Sequence, residues 1–589
     1  SAAPTTMKTN KGSALEAAKK MWAMMGDERL NLLLSLITIL VVSGINISAP
    51  LLFGYAVDHF IATKNMNGVL AISGALLALF LVGFGTGYAQ MKIMGGVAQR
   101  MLFKLRNTIF DKLQSLPVAF FNRNKAGDLI SRINNDTEKL NQFFSETIMR
   151  FMGSIFIIIG TAIFILAINW RLGLIALAPA AFMLIFTQLV SGWVKGKYKA
   201  SLAATGAMSG SVQESLDNFK VIIAFDRRDY FRKRFSEVNQ NNFKASLEAG
   251  LANGVFSPVY DLSAHVAQLA VIGFAVVFIA SGNLTIGALL SFLIYLDRFY
   301  QPLRQIAQLW SSLQTALAGW DRVSGILEEV NDLEVKASEE KEDATHVLEF
   351  KNVVFRYPDG EDGTKGKEVL HKISFALEPG KTYALVGPTG GGKTTTASLM
   401  ARLYDPTEGQ ILLNGKDIRS YEPAERAKRI GFILQEPFLF TGSLLDNVFY
   451  GNELYADKTD EEKATALKDS SMQNLLMRFD GGLEAQINGS GEGMSLGQKQ
   501  LIAFMRAVLR EPELLILDEA TANIDTVTEQ LLEETLKALP SKTAKVIIAH
   551  RLNTIESADE IFFVNAGEIT PAGSLEKAVE LLMSGKRAS

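Results

Sequence analysis

Long apolar runs fill the first half of the chain and alternate with charged segments, whereas the second half has the mixed pattern of a soluble α/β protein. A helix that crosses a membrane needs about 20 mainly apolar residues, because it rises ~1.5 Å per residue through a hydrocarbon core ~30 Å thick. Uncharged runs of this length cover residues 30–57, 68–91, 151–170 and 172–194. One such run alone could be a buried helix of a soluble core, but their repetition predicts membrane spans.

A fifth apolar stretch, residues 262–296, contains one histidine, His265, and no Asp, Glu, Lys or Arg. The stretch is too long for one span, and a Ser-Gly-Asn segment at residues 281–283 interrupts it with residues typical of turns. We interpret it as two helices, near residues 258–280 and 284–307. The apolar pattern therefore predicts an all-α transmembrane domain of six helices.

Positive charges are unevenly distributed along the membrane half. Lys and Arg concentrate in the N-terminal segment and in the two long connections, after the second and fourth spans, whereas the other connections are short and poor in them. Because Lys and Arg favour the cytoplasmic side, both termini and the two long connections are predicted to be cytoplasmic. Residues 14–25, with Lys19 and Lys20 beside Met21 and Trp22, favour an amphipathic helix at the membrane surface, with an ordinary solvated helix as the alternative. We expect a multi-pass protein of the cell (inner) membrane.

The two long connections have helical periodicity and few helix breakers, at residues 100–116 and 202–225. They are interpreted as extensions of the spanning helices into the cytosol. Each contains a short segment suited to contact another domain, at residues 116–121 and 214–219. Plain packing within the helical bundle is the alternative interpretation.

A charged segment, residues 334–343, has little to bury and is interpreted as an exposed linker. A strand-like pattern begins at Val347 and opens the second domain. The predicted parts are an N-terminal tail and interfacial helix (1–29), a transmembrane domain (30–325), a linker (326–344) and an α/β domain (345–589).

Composition narrows the possible functions. The chain has 589 residues, a formal net charge of -3 and no cysteine. Since nucleic-acid binding usually leaves a basic footprint, no nucleic-acid partner is predicted. The lack of cysteine excludes disulfides, zinc–thiolate sites and thiol catalysis.

The clearest chemical motif is a glycine-rich loop after a predicted strand at residues 381–386. A helical pattern follows the loop, which is the strand–loop–helix setting of a phosphate-binding loop. Glycines let backbone N–H groups approach phosphate oxygens, and the helix N-terminus adds positive partial charge. Lys393 would supply a cation to the β- and γ-phosphates and the Thr394 hydroxyl would ligate Mg²⁺; the alternative is a chance glycine-rich turn. The predicted nucleotide-binding residues here are Gly387, Pro388, Thr389, Gly390, Gly391, Gly392, Lys393, Thr394 and Thr395.

Two further predicted strands end in polar side chains. Residues 514–517 form an apolar run that ends in Asp518 and Glu519, and residues 545–549 end in His550. An acidic pair at the end of a buried strand is costly if it is only structural. Beside a phosphate loop, Asp518 would hold Mg²⁺ and Glu519 would polarise the attacking water. A lone histidine is more often structural, but its place at a strand end favours contact with the γ-phosphate.

The second domain resembles the ATP-binding cassette of ABC transporters, and the resemblance covers nearly the whole chain. Besides the loop and the acidic pair, residues 494–498 (Met-Ser-Leu-Gly-Gln) resemble the ABC signature motif. Gln435 resembles the Q-loop glutamine, and Tyr357 resembles the aromatic residue that stacks on adenine. The signature departs from the usual pattern in having Met494 in place of Leu and Leu496 where Gly is common.

The resemblance implies a role for each matching residue. Gln435 would contact Mg²⁺ or the attacking water and relay to the membrane half, and Asp525 would cross a dimer interface. Ser495, Gly497 and Gln498 would face the γ-phosphate of an ATP held by another cassette. The implied catalytic residues are Glu519, His550 and Gln435. The implied metal ligands are Thr394, Gln435 and Asp518.

Six spans followed by one cassette resemble a half-transporter of the type IV exporter group, which implies an ATP hydrolase coupled to transport. One phosphate loop and one signature per chain imply a dimer with a second half-transporter, identical or different, in a lipid bilayer. The expected function is ATP-driven export of an amphipathic or hydrophobic substrate by alternating access, and a small molecule, a lipid or a peptide fits. A lipid flippase on the same scaffold and an ATP-gated channel or sensor are the alternatives, and an intact Glu519 argues against the channel or sensor.

Ionisable side chains inside the predicted spans mark candidate substrate contacts. Asp261 and His265 lie one turn apart on the fifth helix, and Asp297 and Arg298 lie on the sixth. They would line a cavity open to the cytoplasm. Mutual neutralisation of these charges within the bundle is an equally consistent interpretation.

Overall fold

A computed structural model of the chain divides it into two compact units. The first unit contains the described residues up to Gln114 together with Leu129–Glu328, and the second contains Ser115–Asp128 together with the described residues from Glu329 onward. The structure describes residues 26–330, 333–337, 342, 345–357, 366–468, 472–476, 478–479, 482–489, 491, 493–518, 526–537, 539–548 and 555–584.

Helices account for nearly all of residues 26–328, as the apolar runs predict. A single 3₁₀ turn, Gly26–Glu28, precedes the first of them, and π-helical segments at Val57–Ile61, Arg132–Asp136 and Phe143–Thr147 continue their neighbours. In chain order the α-helices are α1 (Arg29–Ala56), α2 (Met66–Ser115), α3 (Val118–Arg123), α4 (Ala126–Ser131), α5 (Thr137–Gln142), α6 (Ile148–Ile168), α7 (Trp170–Asp217), α8 (Phe219–Ala224), α9 (Arg228–Gly254), α10 (Phe256–Ala280) and α11 (Ile286–Glu328).

The long helices agree with the predicted six-helix transmembrane domain. Within the described residues, five helical stretches are long and apolar enough to cross a membrane: Gly26–Ile61, Met66–Ser115, Ala126–Ile168, Trp170–Asp217 and Arg228–Ala280. The helix α11 contains the predicted sixth span and is more polar, because Asp297, Arg298 and Arg304 lie within it. The 50-residue α2 and 48-residue α7 are longer than a bilayer requires, which fits their predicted extension beyond the membrane.

Two of these helices, α1 and α11, approach each other closely. Pro50 lacks an N–H and interrupts the hydrogen bonding of α1. Side chains of α11 donate to carbonyls beside it, Ser291 Oγ to the Pro50 oxygen at 2.8 Å and the Tyr295 hydroxyl to the Ile47 oxygen. A Cβ at Gly54 would lie 2.1 Å from Ser291 Oγ, so the absence of a side chain there allows the crossing.

One carboxylate is buried in the polar part of this first unit. Asp136 is 2% exposed and accepts hydrogen bonds from Arg322 Nε at 2.7 Å and Lys139 Nζ at 2.9 Å. Burial alone would raise the pKa of Asp136, but the bonds from Arg322 and Lys139 outweigh it and hold the pKa below its usual range. The hydrogen bonds between Asp136 and Arg322 join the segment before α5 to the end of α11. Both residues lie outside the apolar spans.

The second unit is the α/β domain that the sequence predicts. Its strands are β1 (Leu348–Arg356), β2 (Glu368–Leu377), β3 (Thr382–Val386), β4 (Glu408–Leu413), β5 (Lys416–Asp417), β6 (Ile430–Ile433), β7 (Gly442–Ser443), β8 (Gln486–Ile487), β9 (Leu514–Asp518), β10 (Ala544–Ile548), β11 (Glu560–Asn565) and β12 (Glu568–Pro571). Its helices are α12 (Lys393–Met400), α13 (Pro423–Arg429), α14 (Leu444–Val448), α15 (Asp460–Lys468), α16 (Gln473–Leu476), α17 (Leu496–Val508), α18 (Thr526–Lys537) and α19 (Leu575–Ser584), with short 3₁₀ turns at Ile418–Ser420, Glu453–Tyr455 and Gly482–Glu484.

A six-stranded sheet forms the centre of this domain, in the order β12-β11-β3-β10-β9-β6. All neighbours in it are parallel except β11 and β12. Every residue of β9 is buried, as expected of a parallel strand covered on both faces. An antiparallel sheet, β2-β1-β4-β5, and a two-stranded sheet, β7-β8, complete the strands. Because parallel strands share one direction, their carboxyl ends meet at a single edge.

The segment Ser115–Asp128 belongs to the second unit, although it lies between the first two long helices and the third in sequence. Ala119 of α3 is 5% exposed and packs in the same apolar cluster as strands β1 and β3. Asn122 Nδ2 donates to the Tyr404 hydroxyl at 2.7 Å, and Arg123 pairs with Glu329 at 3.2 Å. The segment at 116–121 that the sequence singles out for an interdomain contact therefore lies on the α/β domain.

The described part of the charged linker is also held against the α/β domain. Arg402 is 1% exposed and donates to the Glu334 oxygen at 2.8 Å as well as to Asp405. Lys336 N donates to the Arg419 oxygen at 2.9 Å. The linker side chains are exposed as predicted at residues 334–337, but their backbone is fixed by a buried guanidinium that satisfies several acceptors at once.

Candidate functional site

The glycine-rich loop joins β3 to α12, which is the strand–loop–helix setting that the sequence predicts. Gly387, Gly390 and Gly392 have φ values of 150°, 81° and 113°, conformations that favour glycine. A Cβ at Gly387 would lie 1.9 Å from the Val564 backbone oxygen, and a Cβ at Gly391 would lie 2.6 Å from it. The loop is therefore pressed against β11, with its backbone bare enough for phosphate oxygens to approach.

Lys393 and Thr394 begin the helix that follows the loop. Lys393 is 6% exposed, and its Nζ donates to the Gly387 oxygen at 2.8 Å and the Pro388 oxygen at 3.1 Å. The ammonium thus folds back over the loop that is predicted to hold the nucleotide phosphates. Thr394 is exposed between buried neighbours, so its hydroxyl is available at the N-terminus of α12, where backbone N–H groups favour anions.

Replacing Gly387 with Ala is expected to destabilise the protein by roughly 2–5 kcal/mol and to weaken ATP binding, because the methyl group would strike a backbone oxygen that cannot move aside. Thermal unfolding of the full-length protein with and without ATP measures both effects. Gly573→Ala is the matched control, since Gly573 also has a positive φ, 73°, but open space around it. Equal losses in the two variants would contradict the close approach of the loop to β11.

Polar residues gather at the carboxyl edge of the central sheet beside this loop. Ile548 of β10 is paired with Leu385 on one side and with Asp518 on the other. Strands lie ~4.8 Å apart, so Asp518 sits about 10 Å from Leu385, near the end of β3. Asp518 is 4% exposed. Gln435 follows β6 by two residues at the same edge and is exposed.

Three of the predicted site residues, Glu519, Asp525 and His550, lie outside the described residues. Their neighbours in sequence are described. Glu519 follows Asp518 directly, and His550 comes two residues after Ile548. The described parts of both strands end at the edge of the sheet where the glycine-rich loop begins.

The signature residues form the start of α17. Ser495 caps this helix: its Oγ accepts from Gln498 N at 3.2 Å, and the Gln498 side chain accepts in return from Ser495 N at 3.0 Å. This reciprocal arrangement satisfies two backbone donors that a helix N-terminus leaves unpaired. Gln498 also donates to the Arg478 oxygen at 3.1 Å. Ser495 stays exposed, and Gly497 lies two residues further along the chain. The start of the helix is therefore open to an anion from outside.

Gln500 is a buried polar residue that sequence reasoning missed. It is 1% exposed, and its Nε2 lies 3.5 Å from the backbone oxygen of Gln435. Its Oε1 has no hydrogen-bond partner among the described residues. The side chain thus connects the signature helix to the segment that carries Gln435. The sequence signal that could have identified Gln500 is a polar residue on the otherwise apolar, buried face of α17.

The surroundings of Tyr357 suit a ring that stacks on an aromatic ligand. Its hydroxyl lies 3.0 Å from Thr395 Oγ1, which places the ring beside the start of α12. Phe355 and Tyr404 hold it edge to face, at ring-centroid distances of 5.0 Å and 5.4 Å. The residue is 37% exposed, so part of the ring surface is open for an aromatic ligand.

The four candidate substrate residues of the membrane half have different partners. Asp261 pairs with Arg304 at 2.9 Å, and His265 Nδ1 lies 3.2 Å from Gln268 Oε1. The Arg298 guanidinium donates to Asn46 Oδ1 at 2.6 Å. Asp297 is exposed and forms no ion pair with the described residues. Among the described residues, no hydrogen bond or ion pair joins these four to one another, and Arg304 neutralises Asp261.

Comparison with known proteins agrees with this geometry. The family model of the ABC transporter transmembrane region matches residues 32–303, and the ABC transporter model matches residues 370–522. An uncharacterised ABC transporter ATP-binding protein of Bacillus subtilis, YfiC, is 33% identical over 95% of this chain and 92% of its own length.

Two relatives with more specific names have a similar sequence identity to this chain. A fatty acid ABC transporter ATP-binding/permease protein of Mycobacterium bovis is 32% identical over 85% of this chain and 77% of its own length. A probable multidrug resistance ABC transporter of B. subtilis, YheH, is 32% identical over 88% of this chain and 76% of its own length. The chain therefore belongs to the ABC transporter family, as an exporter-type half-transporter in which a helical transmembrane domain is fused to an ATP-hydrolysing cassette that drives transport.

Proposed function

We propose that the chain exports an amphipathic or hydrophobic substrate from the cytoplasm by alternating access, as one half of a dimer in the cell (inner) membrane. The observation that carries the proposal is the fusion of one cassette to one helical membrane domain on a single chain. Both termini are assigned to the cytoplasm from the distribution of Lys and Arg. The assigned parts are a tail (1–29), a transmembrane domain (30–325), a linker (326–344) and the cassette (345–589).

In this proposal ATP lies on the glycine-rich loop with adenine against Tyr357. Lys393 binds the β- and γ-phosphates, and Glu519 polarises the attacking water while His550 contacts the γ-phosphate. The described residues contain no cluster of three or more His, Cys, Asp or Glu that could hold a metal. Thr394 and Asp518 fit Mg²⁺ nevertheless, since this ion usually takes one or two protein ligands and completes its shell with water and phosphate oxygens. Gln435 would contact the ion or the water.

ATP-dependent movement of substrate tests the proposal. Purified protein, with its natural partner if one exists, is reconstituted into liposomes with cassettes outward. ATP is expected to drive a fluorescent hydrophobic drug into the lumen, and the Lys393→Met protein is expected not to do so. ATP-dependent ion conductance without movement of any drug or lipid would overturn export in favour of a channel.

The dimer proposal rests on the two anion-facing elements of each cassette. Since the chain has no cysteine, introduced cysteines give an unambiguous cross-link. Thr389 of the loop and Leu496 of the signature are both exposed. A Thr389→Cys, Leu496→Cys double variant is expected to form a disulfide-linked dimer, most efficiently with bound ATP, because each ATP would bring one loop to the other chain's signature.

Non-reducing gel electrophoresis measures this cross-link. The control is a Thr389→Cys, Lys577→Cys double variant, because Lys577 lies on the exposed part of α19. It should run as a monomer on the gel. The proposal fails if the loop and signature cysteines link no more readily than the control pair, with the natural partner present in both samples.

Two substrate classes remain in competition. The names of the relatives mention fatty acids in one case and multidrug resistance in another, and a lipid flippase is the second candidate function. Stimulation of ATPase by soluble drugs favours export, whereas stimulation by lipids alone favours a flippase. Asp261→Asn and Asp297→Asn test the charged candidates: an unchanged substrate profile assigns both to packing of the bundle.

Transmission of motion is assigned to the cytosolic segments near Phe120 and Phe219. Phe120 lies in α3, next to Ala119, which is buried among cassette residues. Phe219 begins α8 and is 55% exposed. An exposed aromatic at the tip of a long helical extension favours contact with another domain.

A further inference from the structure

A cavity of about 470 Å³ lies in the first unit, where α1 begins. One face of α1 lines it from Arg29 to Ile39, and Met94 of α2 and Met152 of α6 close it from the other side. Ten helical residues rise ~15 Å, which is half of the ~30 Å hydrocarbon core. The cavity therefore has the depth of one leaflet, on the side of the membrane where the first span starts.

Below Arg29, the wall of the cavity is apolar with one exception. Leucine, isoleucine and methionine side chains form most of it, and flexible methionines adapt to irregular ligands. The exception is Ser35, which lines the cavity and is 2% exposed. Its Oγ has no hydrogen-bond partner among the described residues. Buried hydroxyls are normally satisfied, in helices often by the carbonyl one turn earlier, so this hydroxyl is free to donate to an acceptor on a ligand after rotation about its Cα–Cβ bond.

Beside Arg29, the two acidic residues of the preceding turn are each paired with a basic side chain of α2. Glu28 is held by Arg100 at 2.6 Å, and Asp27 is held by Lys104 at 3.0 Å. The Arg100 hydrogen bonds lower the pKa of Glu28 to about 2, so this carboxylate stays ionised and paired. Arg29, which lines the mouth, forms no ion pair with the described residues. Its charge is available to an anion at the membrane surface.

We propose that this cavity binds an anionic diacyl glycerophospholipid from the adjoining leaflet. The phosphate pairs with Arg29, an ester carbonyl accepts from Ser35 Oγ, and one acyl chain follows the apolar wall towards Ile39. The spacing fits, because six helical residues place Ser35 ~9 Å deeper than Arg29, below the headgroup layer, which is ~5–8 Å thick on each side of the core.

Charge complementarity selects this occupant over a segment of the chain itself. Residues 14–25 carry Lys19 and Lys20 against one acidic residue, Glu16, so their net charge has the same sign as Arg29. A second copy of the chain would bring the same Arg29, whose charge has the same sign. A free fatty acid has the required charge but no ester carbonyl at the depth of Ser35.

Photo-cross-linking of the full-length protein in phosphatidylcholine nanodiscs tests the proposal. The probes are phosphatidylglycerol and phosphatidylcholine, each with a diazirine on one acyl chain, and labelled peptides are mapped by mass spectrometry. Phosphatidylglycerol is expected to label peptides from α1 and the start of α6 about fivefold more than phosphatidylcholine, the effect of one basic side chain near the surface. Arg29→Gln should remove that preference.

Matched variants separate the chain and the ester contacts. Leu36→Trp fills the cavity and should suppress labelling by both probes, whereas Leu34→Trp, on an exposed position outside the lining, should not. An ether-linked phosphatidylglycerol should label the natural protein less than the ester-linked probe. In Ser35→Ala the two should label equally.

Several results would overturn the proposal. Equal labelling by the two headgroups, or unchanged labelling in Leu36→Trp, would mean that the lipid is not in this cavity. Labelling that appears only after removal of residues 1–25 would assign the cavity to that segment, and displacement of the probe by free palmitate at equal concentration would assign it to fatty acid. Since the readout is labelling without ATP turnover, these failures leave the proposed transport untouched.

Discussion

Replacing Lys393 with Met is expected to abolish nucleotide capture and to lower ATP hydrolysis at least about a hundredfold, the effect of removing a charged donor aimed at developing negative charge. The ammonium lies 2.8 Å and 3.1 Å from two loop carbonyls, so it is already positioned above the loop and needs only to exchange these acceptors for phosphate oxygens. Methionine keeps the length of the side chain and its packing while removing the charge.

Equilibrium binding of a fluorescent ATP analogue and the steady-state ATPase rate measure the two effects. Lys428→Met is the matched control, because the Lys428 side chain is 58% exposed and pairs with Glu453 at 2.6 Å on the surface. The control should bind and hydrolyse ATP normally, and both variants should melt within a few degrees of the natural protein. Retained binding in a well-folded Lys393→Met protein would remove the loop from the nucleotide site.

The elements around the glycine-rich loop are predictable from sequence because the signals there are local. An apolar run of strand length, a cluster of glycines and a helical pattern follow one another directly, and the structure has β3, the loop and α12 in that order. The positive φ values at Gly387, Gly390 and Gly392 explain why the loop needs glycine at these positions. The apolar runs predict the long helices for the same reason, since length and hydropathy are properties of one segment.

Contacts between distant parts of the sequence were not predictable to the same degree. Asn122 and Tyr404 are 282 positions apart, and no periodicity in either segment encodes their hydrogen bond. Gln500 is similar: its place in the signature helix is predictable, but its burial against the Gln435 segment depends on how α17 packs. The fixation of the linker backbone by Arg402 is likewise absent from the composition of residues 334–337, whose charge alone indicates exposure.

Replacing Glu519 with Gln is expected to lower ATP hydrolysis by about 10²–10⁴-fold while ATP binding persists, because the amide keeps the size of the side chain but cannot polarise or accept a proton from the attacking water. The argument starts from the described strand that precedes it. Asp518 ends β9 in register with Ile548, and Ile548 is in register with Leu385, two residues before the loop. Asp518 therefore ends its strand at the same edge of the sheet as the glycine-rich loop, and Glu519 is the next residue in sequence.

Single-turnover hydrolysis and nucleotide binding on the same Glu519→Gln preparation separate chemistry from capture. Glu560→Gln is the matched control, because Glu560 begins β11 at the opposite edge of the same sheet and pairs with Lys381 at 3.2 Å. It should leave turnover intact. Because the Glu519→Gln protein is expected to keep ATP bound, it should also raise the yield of the Thr389–Leu496 cysteine cross-link. A variant that failed to bind nucleotide would not raise that yield. Normal turnover in the Glu519→Gln protein would assign the base to another residue, and loss of binding together with turnover would place Glu519 in the nucleotide pocket without a role in proton transfer.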